Sequence, residues 1–252
     1  MNEQELHGHF FPEARAGGFS RIDGTVQFYQ RIHALTNARS VVLDYGAGRG
    51  AGHRDDPVPY RRALRNFKGR VQEVIGADID PVVKDNPSLD RALVLRPGGG
   101  LPLADGSVDV IVSDFTFEHF ADPAPVAAEF DRVLAAGGWI CARTPNRWGY
   151  IALANQITPA RLRRRVLKFS QPHRLDEDVF ASHYRLNSAR ALRRYFDTGR
   201  FEHHVYALDS EPGYHANSRL LYRVLLGIHA LTPPALKSML FVFLHKKGAA
   251  ER

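Results

Sequence analysis

Residues 41–50, Val-Val-Leu-Asp-Tyr-Gly-Ala-Gly-Arg-Gly, constrain this chain more than any other stretch. Val41, Val42 and Leu43 form a short β-type apolar run that meets an acid, Asp44. Three alternating glycines follow, Gly46, Gly48 and Gly50. A buried strand ending in such a loop brings backbone N–H groups close to a ligand, because glycine has no Cβ to hold it away. Asp44 adds a fixed negative charge at the strand's carboxyl end. An acid there suits a ligand with a cationic or hydroxyl-rich part better than a bare pyrophosphate.

The remaining patterning supplies the frame for that loop. Ile22, Val26, Tyr29, Ile32 and Leu35 recur at helical spacing and predict a leading helix over 20–37. The first strand is expected at 40–44, and a helix from Asp55 or Asp56 through Phe67, stopped by Gly69. Further strands are expected at 71–80, 93–95 and 108–113. A helix over 125–134, ended by Gly137-Gly138, precedes a fifth strand at 139–143. Ser188 is placed to cap a helix through Phe196. Strands at 201–208 and 238–245 flank a helix over 219–231. Strands alternating with helices predict a Rossmann-like α/β fold, a doubly wound, mainly parallel sheet. We expect one domain over 1–252, with a leading helical segment over about 1–38. The stretch 147–187 has no clear strand and predicts an inserted helical cap over the sheet's carboxyl edge.

Composition narrows the function classes. The chain has 252 residues, no apolar run long enough to span a bilayer, and no apolar stretch near its start, so a soluble, cytoplasmic protein is expected. The single cysteine, Cys141, excludes an internal disulfide and a cysteine-cluster metal site; no metal ligand set is expected. The apolar region 220–244 could be a membrane-surface element, but Pro233-Pro234 divides it into an ordinary core helix and a closing strand. A net charge of +7 raises an anionic partner. Its one local cluster, Arg161 to Lys168, reads either as a solvated helix face or as a contact for phosphate.

Gly46-Ala-Gly48-Arg-Gly50-Ala51 also fits the dinucleotide pattern G-x-G-x-x-A, so the glycines alone admit two cofactors. The acids separate them. Asp44 would repel pyrophosphate, the second strand's Asp78 lies farther on than a nicotinamide fingerprint expects, and Asp114 ends the fourth strand near the same crevice. Three acids at neighbouring strand ends fit an uncharged ribose and a cationic amino-acid tail.

At this point a resemblance becomes specific. Val-Leu-Asp-Tyr-Gly-Ala-Gly-Arg-Gly resembles motif I of class I S-adenosylmethionine-dependent methyltransferases, and Val-Ile-Gly-Ala-Asp-Ile-Asp-Pro their second motif. Residues 101–114, 117–123 and 132–139 continue the likeness, which covers about 20–146. It implies a seven-stranded sheet with the last strand antiparallel and S-adenosylmethionine as cofactor. By position it implies that Gly46, Gly48 and Gly50 pack on methionine and ribose, and that Asp44 holds the amino-acid end. Asp78 would take the ribose diol, Ile79 would lie against adenine, Gly100 and Leu101 would border the ring, and Asp114 would line the methyl-bearing end. Two departures stand out. No acid precedes Leu101-Pro102 to bind the adenine amino group, and Gly52–Asp56 lengthens the loop after Gly50.

A base is needed only for a hydroxyl or protonated amine acceptor. His119, with Glu118 beside it, is the best-placed candidate; capping and packing are the alternative roles of this pair. His173, His183 and Tyr184 in the expected cap are weaker candidates, and Thr144-Pro145-Asn146 either contacts the acceptor or makes a turn. Ser113-Asp114-Phe115-Thr116 stands where amino-methylating nucleic-acid enzymes carry Asn/Asp-Pro-Pro-Tyr/Phe, which argues against a nucleic-acid acceptor. Thr-Pro-Asn-Arg-Trp-Gly-Tyr and His-Tyr-Arg-Leu-Asn resemble a group of bacterial methyltransferases (type 11-like) found among glycan- and glycolipid-making enzymes. That implies O-methylation of a small-molecule or glycan/lipid-linked acceptor, with peripheral membrane contact allowed. An NAD(P)-dependent oxidoreductase and a non-catalytic RNA-binding or scaffold protein are the competing readings.

Overall fold

The computed structural model describes residues 3–96, 98–158, 181–213 and 215–248. Seven strands form one sheet: β1 (Val41–Tyr45), β2 (Glu73–Asp78), β3 (Arg91–Val94), β4 (Val108–Asp114), β5 (Leu134–Pro145), β6 (Phe201–Leu208) and β7 (Met239–Lys246). Their spatial order is β3-β2-β1-β4-β5-β7-β6. The first five pair in parallel, and β7 runs antiparallel to both β5 and β6. This is the Rossmann-like doubly wound sheet with an antiparallel last strand. From β1 the chain winds outward through β2 to β3, then returns to place β4 on β1's other side. That reversal opens a crevice above the carboxyl ends of β1 and β4, where ligands of such folds bind.

The helices are α1 (Glu3–Phe10), α2 (Gly24–Leu35), α3 (Ala51–Arg54), α4 (Pro59–Arg65), α5 (Pro123–Val133), α6 (Tyr150–Ile157), α7 (Ala189–Tyr195) and α8 (Arg219–Leu231). Successive strand residues face opposite sides of a pleated sheet, and the core divides accordingly. Leu43, Ile75, Ile111 and Ile140 pack with α5 and α7 on one face. Val42, Val74, Val110 and Cys141 pack with α2 and α4 on the other. A smaller cluster of Leu6, Phe11, Ala14 and Tyr222 joins α1 to α8.

Local chemistry sets the boundaries. Asp23 caps α2 by accepting from the Thr25 and Val26 amides, which starts that helix later than the apolar spacing predicts. Asp122 caps α5 with Pro123 in its first turn, and Ser188 caps α7. One boundary corrects the sequence reading: α5 ends at Val133, and Gly137-Gly138 lie inside β5 rather than terminating the helix. Gly137 adopts φ +78° where the register with β4 shifts; a glycine in a strand is often such an irregularity. Lys246 makes a tie across the sheet's end, its ammonium donating to the Asp131 and Leu134 carbonyls at the end of α5. Of the expected cap, residues 147–158, which include α6, and 181–187 are described; the basic cluster Arg161–Lys168 and His173 lie outside the described residues.

Phe28 locks α2 to the sheet. It is fully buried, with its ring centroid 5.7 Å from that of Phe241 and 5.9 Å from that of Phe243. Phe28→Ala should cost about 3–5 kcal/mol, read as a lower urea midpoint with an unchanged m-value.

Candidate active site at the sheet switch point

The loop after β1 is held by β2. The Gly46 amide donates to the Ala77 carbonyl at 2.7 Å, and the Gly48 amide to Asp78 Oδ2 at 2.9 Å. Gly46, Gly48 and Gly50 have φ of +82°, +48° and +75°, a region side-chain-bearing residues rarely adopt. A Cβ on Gly46 would strike Thr116, and one on Gly50 would strike Asn86. Gly48 differs: the nearest atom to its missing Cβ is Asp78 Oδ2 at 4.0 Å. Its flank is therefore the one open to a ligand.

Asp78, at the end of β2, is a two-armed clamp. Oδ2 accepts from Gly48, and Oδ1 accepts from the Asp80 amide at 2.9 Å. Each carboxylate oxygen keeps a second lone pair for hydroxyl donors. Ile79 follows and is 56% exposed, an apolar shelf beside the clamp. Asn86 holds the loop from outside, donating to the Ala47 and Gly48 carbonyls at 3.1 and 3.3 Å, and Ser88 fixes its amide from behind. Leu101 is buried. Its amide donates to Glu129 at 2.6 Å, and its carbonyl accepts from Arg132 at 2.9 Å. Gly100 also lies against the Glu129 carboxylate. The Leu101 backbone is thus engaged by the protein, so it offers a ligand shape rather than that amide.

At the end of β4 lies a buried ion pair that composition and spacing do not disclose. Arg143 donates to both oxygens of Asp114, each at 2.7 Å, and its third nitrogen reaches Thr25 Oγ1 at 3.0 Å. The Tyr29 hydroxyl adds a bond to Asp114 at 3.2 Å. Burial pushes the Asp114 carboxyl up, but the Arg143 guanidinium and its hydrogen bonds, with Arg65 and Tyr29, hold it below the ordinary value. Asp44 is the opposite case. Its carboxylate has no hydrogen bond or ion pair among the described residues, and burial, then Asp114, then Asp78 push it up to about 7. The crevice floor therefore holds one neutralised acid and one uncompensated acid that a cation would complete.

Beyond β4 the backbone is strained. Phe115 has φ +56°, which is costly for a bulky residue, yet its ring is exposed, with the Arg143 guanidinium 4.9 Å from its centroid. Glu118 and His119 then part company. The Glu118 carboxylate is 5% exposed and accepts from Thr144, which in turn accepts from Asn187. Its carbonyl accepts from the His183 and Tyr184 amides. Glu118 is thereby a buried tie between β4's exit and 181–187. His119 stays at the surface, and its Nδ1 donates to the Ala181 carbonyl at 2.8 Å. A carbonyl can only accept, so the proton sits on Nδ1 and the basic lone pair on Nε2. Tyr184 is buried, His183 is exposed, and Asn146 is buried in a turn, donating to the Ala235 and Lys237 carbonyls.

The structure thus brings Asp44, the three glycines, Asp78, Ile79 and Asp114 to neighbouring strand ends, whereas Gly100 and Leu101 are tied to Glu129 of α5. Residues missed by the sequence reading are Asn86, Thr116, Tyr29 and Arg143. Only Arg143 carried a signal, a cation closing a buried apolar strand whose neighbour ends in an acid.

Fold and site together define an open α/β domain whose crevice suits hydroxyl groups and a cation. Residues 43–142 match the model of a family described as a methyltransferase domain. Over 122 residues the chain is 33% identical to a probable S-adenosylmethionine-dependent methyltransferase of Mycobacterium tuberculosis, the match covering 47% of this chain and 40% of that protein. The chain thus spans about two fifths of that curated relative's length. A SAM-dependent methyltransferase from Archaeoglobus fulgidus shares the fold at a TM-score of 0.53 and 18% identity, covering 95% of this chain and 99% of that one. Geranyl diphosphate C-methyltransferase from Streptomyces coelicolor, solved with Mg2+, geranyl diphosphate and S-adenosyl-L-homocysteine, does so at 0.51 and 14%, covering 88% and 79%.

Asp44 generates a pH prediction. With a native value of about 7 against an ordinary 3.8, the folded protein binds more protons than the unfolded one in between. The Asp44 contribution to stability therefore falls as pH rises through that window. Asp44→Asn should melt at a higher temperature than the parent at pH 8, with the gap closing towards pH 4. A gap independent of pH would show an ordinary carboxylate.

Proposed function

We propose that this chain is an S-adenosylmethionine-dependent methyltransferase, acting by O-methylation on a small-molecule or glycan/lipid-linked acceptor. The observation that carries the cofactor reading is the Asp78 clamp on Gly48 beside the uncompensated Asp44. Asp78 would receive the ribose hydroxyls, the open flank of Gly48 would admit the sugar and methionine chain, and Asp44 would hold the α-ammonium. Ile79 would support the adenine ring. The match of residues 43–142 to a methyltransferase domain supports the same reading. A dinucleotide's pyrophosphate would meet an uncompensated acid at Asp44, which disfavours the oxidoreductase alternative.

When bound, S-adenosylmethionine supplies an electrophilic methyl on a sulfonium, with a neutral leaving group. The protein's work is then alignment and, for a hydroxyl acceptor, removal of one proton. Arg143 keeps Asp114 ionised and oriented at β4's end. His119, protonated on Nδ1 by its bond to Ala181, presents Nε2 as the base for the acceptor hydroxyl. Phe115 and Trp148, 41% and 54% exposed at the ends of β4 and beyond β5, offer aromatic faces to the apolar face of a sugar ring. A cytoplasmic location belongs to this proposal.

Titration calorimetry should give S-adenosylmethionine binding and no NADH binding; the reverse overturns the reading. Asp78→Ala should weaken cofactor binding at least several-fold, since it leaves ribose hydroxyls without their acceptor. For the acceptor, methyl transfer from labelled cofactor should reach glycosyl or lipid-linked hydroxyls, and transfer confined to amines or RNA would reject O-methylation. With that acceptor, His119→Ala should lower kcat by about 100-fold or more while cofactor affinity stays at the parent value.

A further inference from the structure

Helix α8 is apolar on two sides. Its inner side buries Tyr222, Leu225 and His229; Tyr222 packs with α1, and the His229 ring bonds the Tyr150 hydroxyl of α6 at 3.0 Å. Its outer side carries Leu220, Val224, Ile228 and Leu231, exposed by 74%, 49%, 41% and 86%. Spacings of four, four and three put these in one stripe along the helix. The fold satisfies the inner side; the outer stripe is exposed and is not part of a core cluster among the described residues. Leu236, 45% exposed just past the helix, continues it.

The charge beside this stripe is one-sided. No residue of α8 is acidic. A groove of about 1320 Å³ begins at Pro234 and Ala235, immediately past α8, and runs between Trp148 and α7. Arg147, Arg185, Arg190, Arg193 and Arg194 line it, with no carboxylate among its described lining residues. All five are exposed, and none forms an ion pair among the described residues. An apolar stripe beside unneutralised arginines is the composition of an interfacial helix that meets anionic headgroups.

We propose that the outer stripe of α8 and the adjoining arginine-lined groove dock this protein on a membrane surface carrying anionic lipid. Leu220, Val224, Ile228 and Leu231 would enter the headgroup–acyl boundary while the arginines bind lipid phosphates. Exposure and charge carry the inference, which stands whether or not the chain methylates anything. Among the described residues no helix is long and apolar enough to cross a membrane, so the mode is surface attachment.

Vesicle co-sedimentation of the full chain tests it. Binding to phosphatidylcholine vesicles containing phosphatidylglycerol should be at least tenfold tighter than to phosphatidylcholine alone, and should weaken as salt rises. The Leu220→Ser/Ile228→Ser double variant changes only exposed positions and should keep the parent circular dichroism while losing binding at least tenfold. Arg190→Ser/Arg194→Ser should lose roughly 25-fold on the anionic vesicles, about fivefold per arginine, with a shallower salt dependence. No binding to anionic vesicles overturns the proposal. So does a dimer in light scattering that Leu220→Ser/Ile228→Ser dissolves, which would assign the stripe to a second copy. Retention of RNA without retention of vesicles would assign the groove to nucleic acid and equally overturn it.

Discussion

Asp114, the last residue of β4, and Arg143, two residues before the end of β5, are register partners on adjacent parallel strands, so the sheet itself sets their pairing before any ligand arrives. Two charges brought out of water this way need close geometry and further bonds to be tolerated. Thr25 and Tyr29, both from α2, supply those bonds. The pair thus ties the leading helix to the crevice floor and decides the electrostatics above it. Because Arg143 faces Asp114, it does not compensate Asp44 on the next strand. A site with three acids, Asp44, Asp78 and Asp114, and one arginine on Asp114 is left poised for one more positive charge.

The glycine loop shows a complementary arrangement, in which side chains hold the backbone. Gly46 and Gly50 are filled from behind by Thr116 and Asn86, so their missing side chains admit protein. Gly48 alone keeps its open side toward the crevice. Three glycines that look equivalent in the motif therefore sit in two different surroundings, and a side chain at the middle one would meet the fewest atoms. Asp78 unites them by anchoring the loop with one lone pair on Oδ2 and keeping another for the crevice.

The strands and most helices are legible in the sequence because periodicity and turn residues are local properties. β6 and α8 coincide with the sequence reading, β1, β2 and β7 differ by a residue or two at each end, and β4 differs by one residue at its end. The failure at Gly137-Gly138 has a physical cause: a glycine pair reads as a helix stop, but here it relaxes a register shift between paired strands, which depends on a distant partner. The acids at strand ends could be read because the motif places them. Asn86 and Thr116 could not, since each matters only through a neighbour 39 to 70 residues away along the chain; Arg143 carried a faint signal, but its role depends on Asp114, 29 residues away. Glu118 and His119 are adjacent in sequence yet diverge in space, one into the core and one to the surface; sequence adjacency made them a pair that the fold separates.

The position of β7 has a consequence for how the molecule is assembled. β6 joins the sheet only through β7, which is made later and lies between β6 and β5. Until that final strand is synthesised, β6 has no edge to pair with and β5 presents an open one. The parallel half, β1 to β5, carries the whole crevice, whereas the closing of the sheet waits for its last strand. Lys246, at the end of that strand, then latches onto the end of α5. The domain is thus closed from its carboxyl-terminal side, like a drawer pushed home by its last panel, and a nascent chain stalled before Met239 would expose an unpaired strand edge of the kind that seeds aggregation.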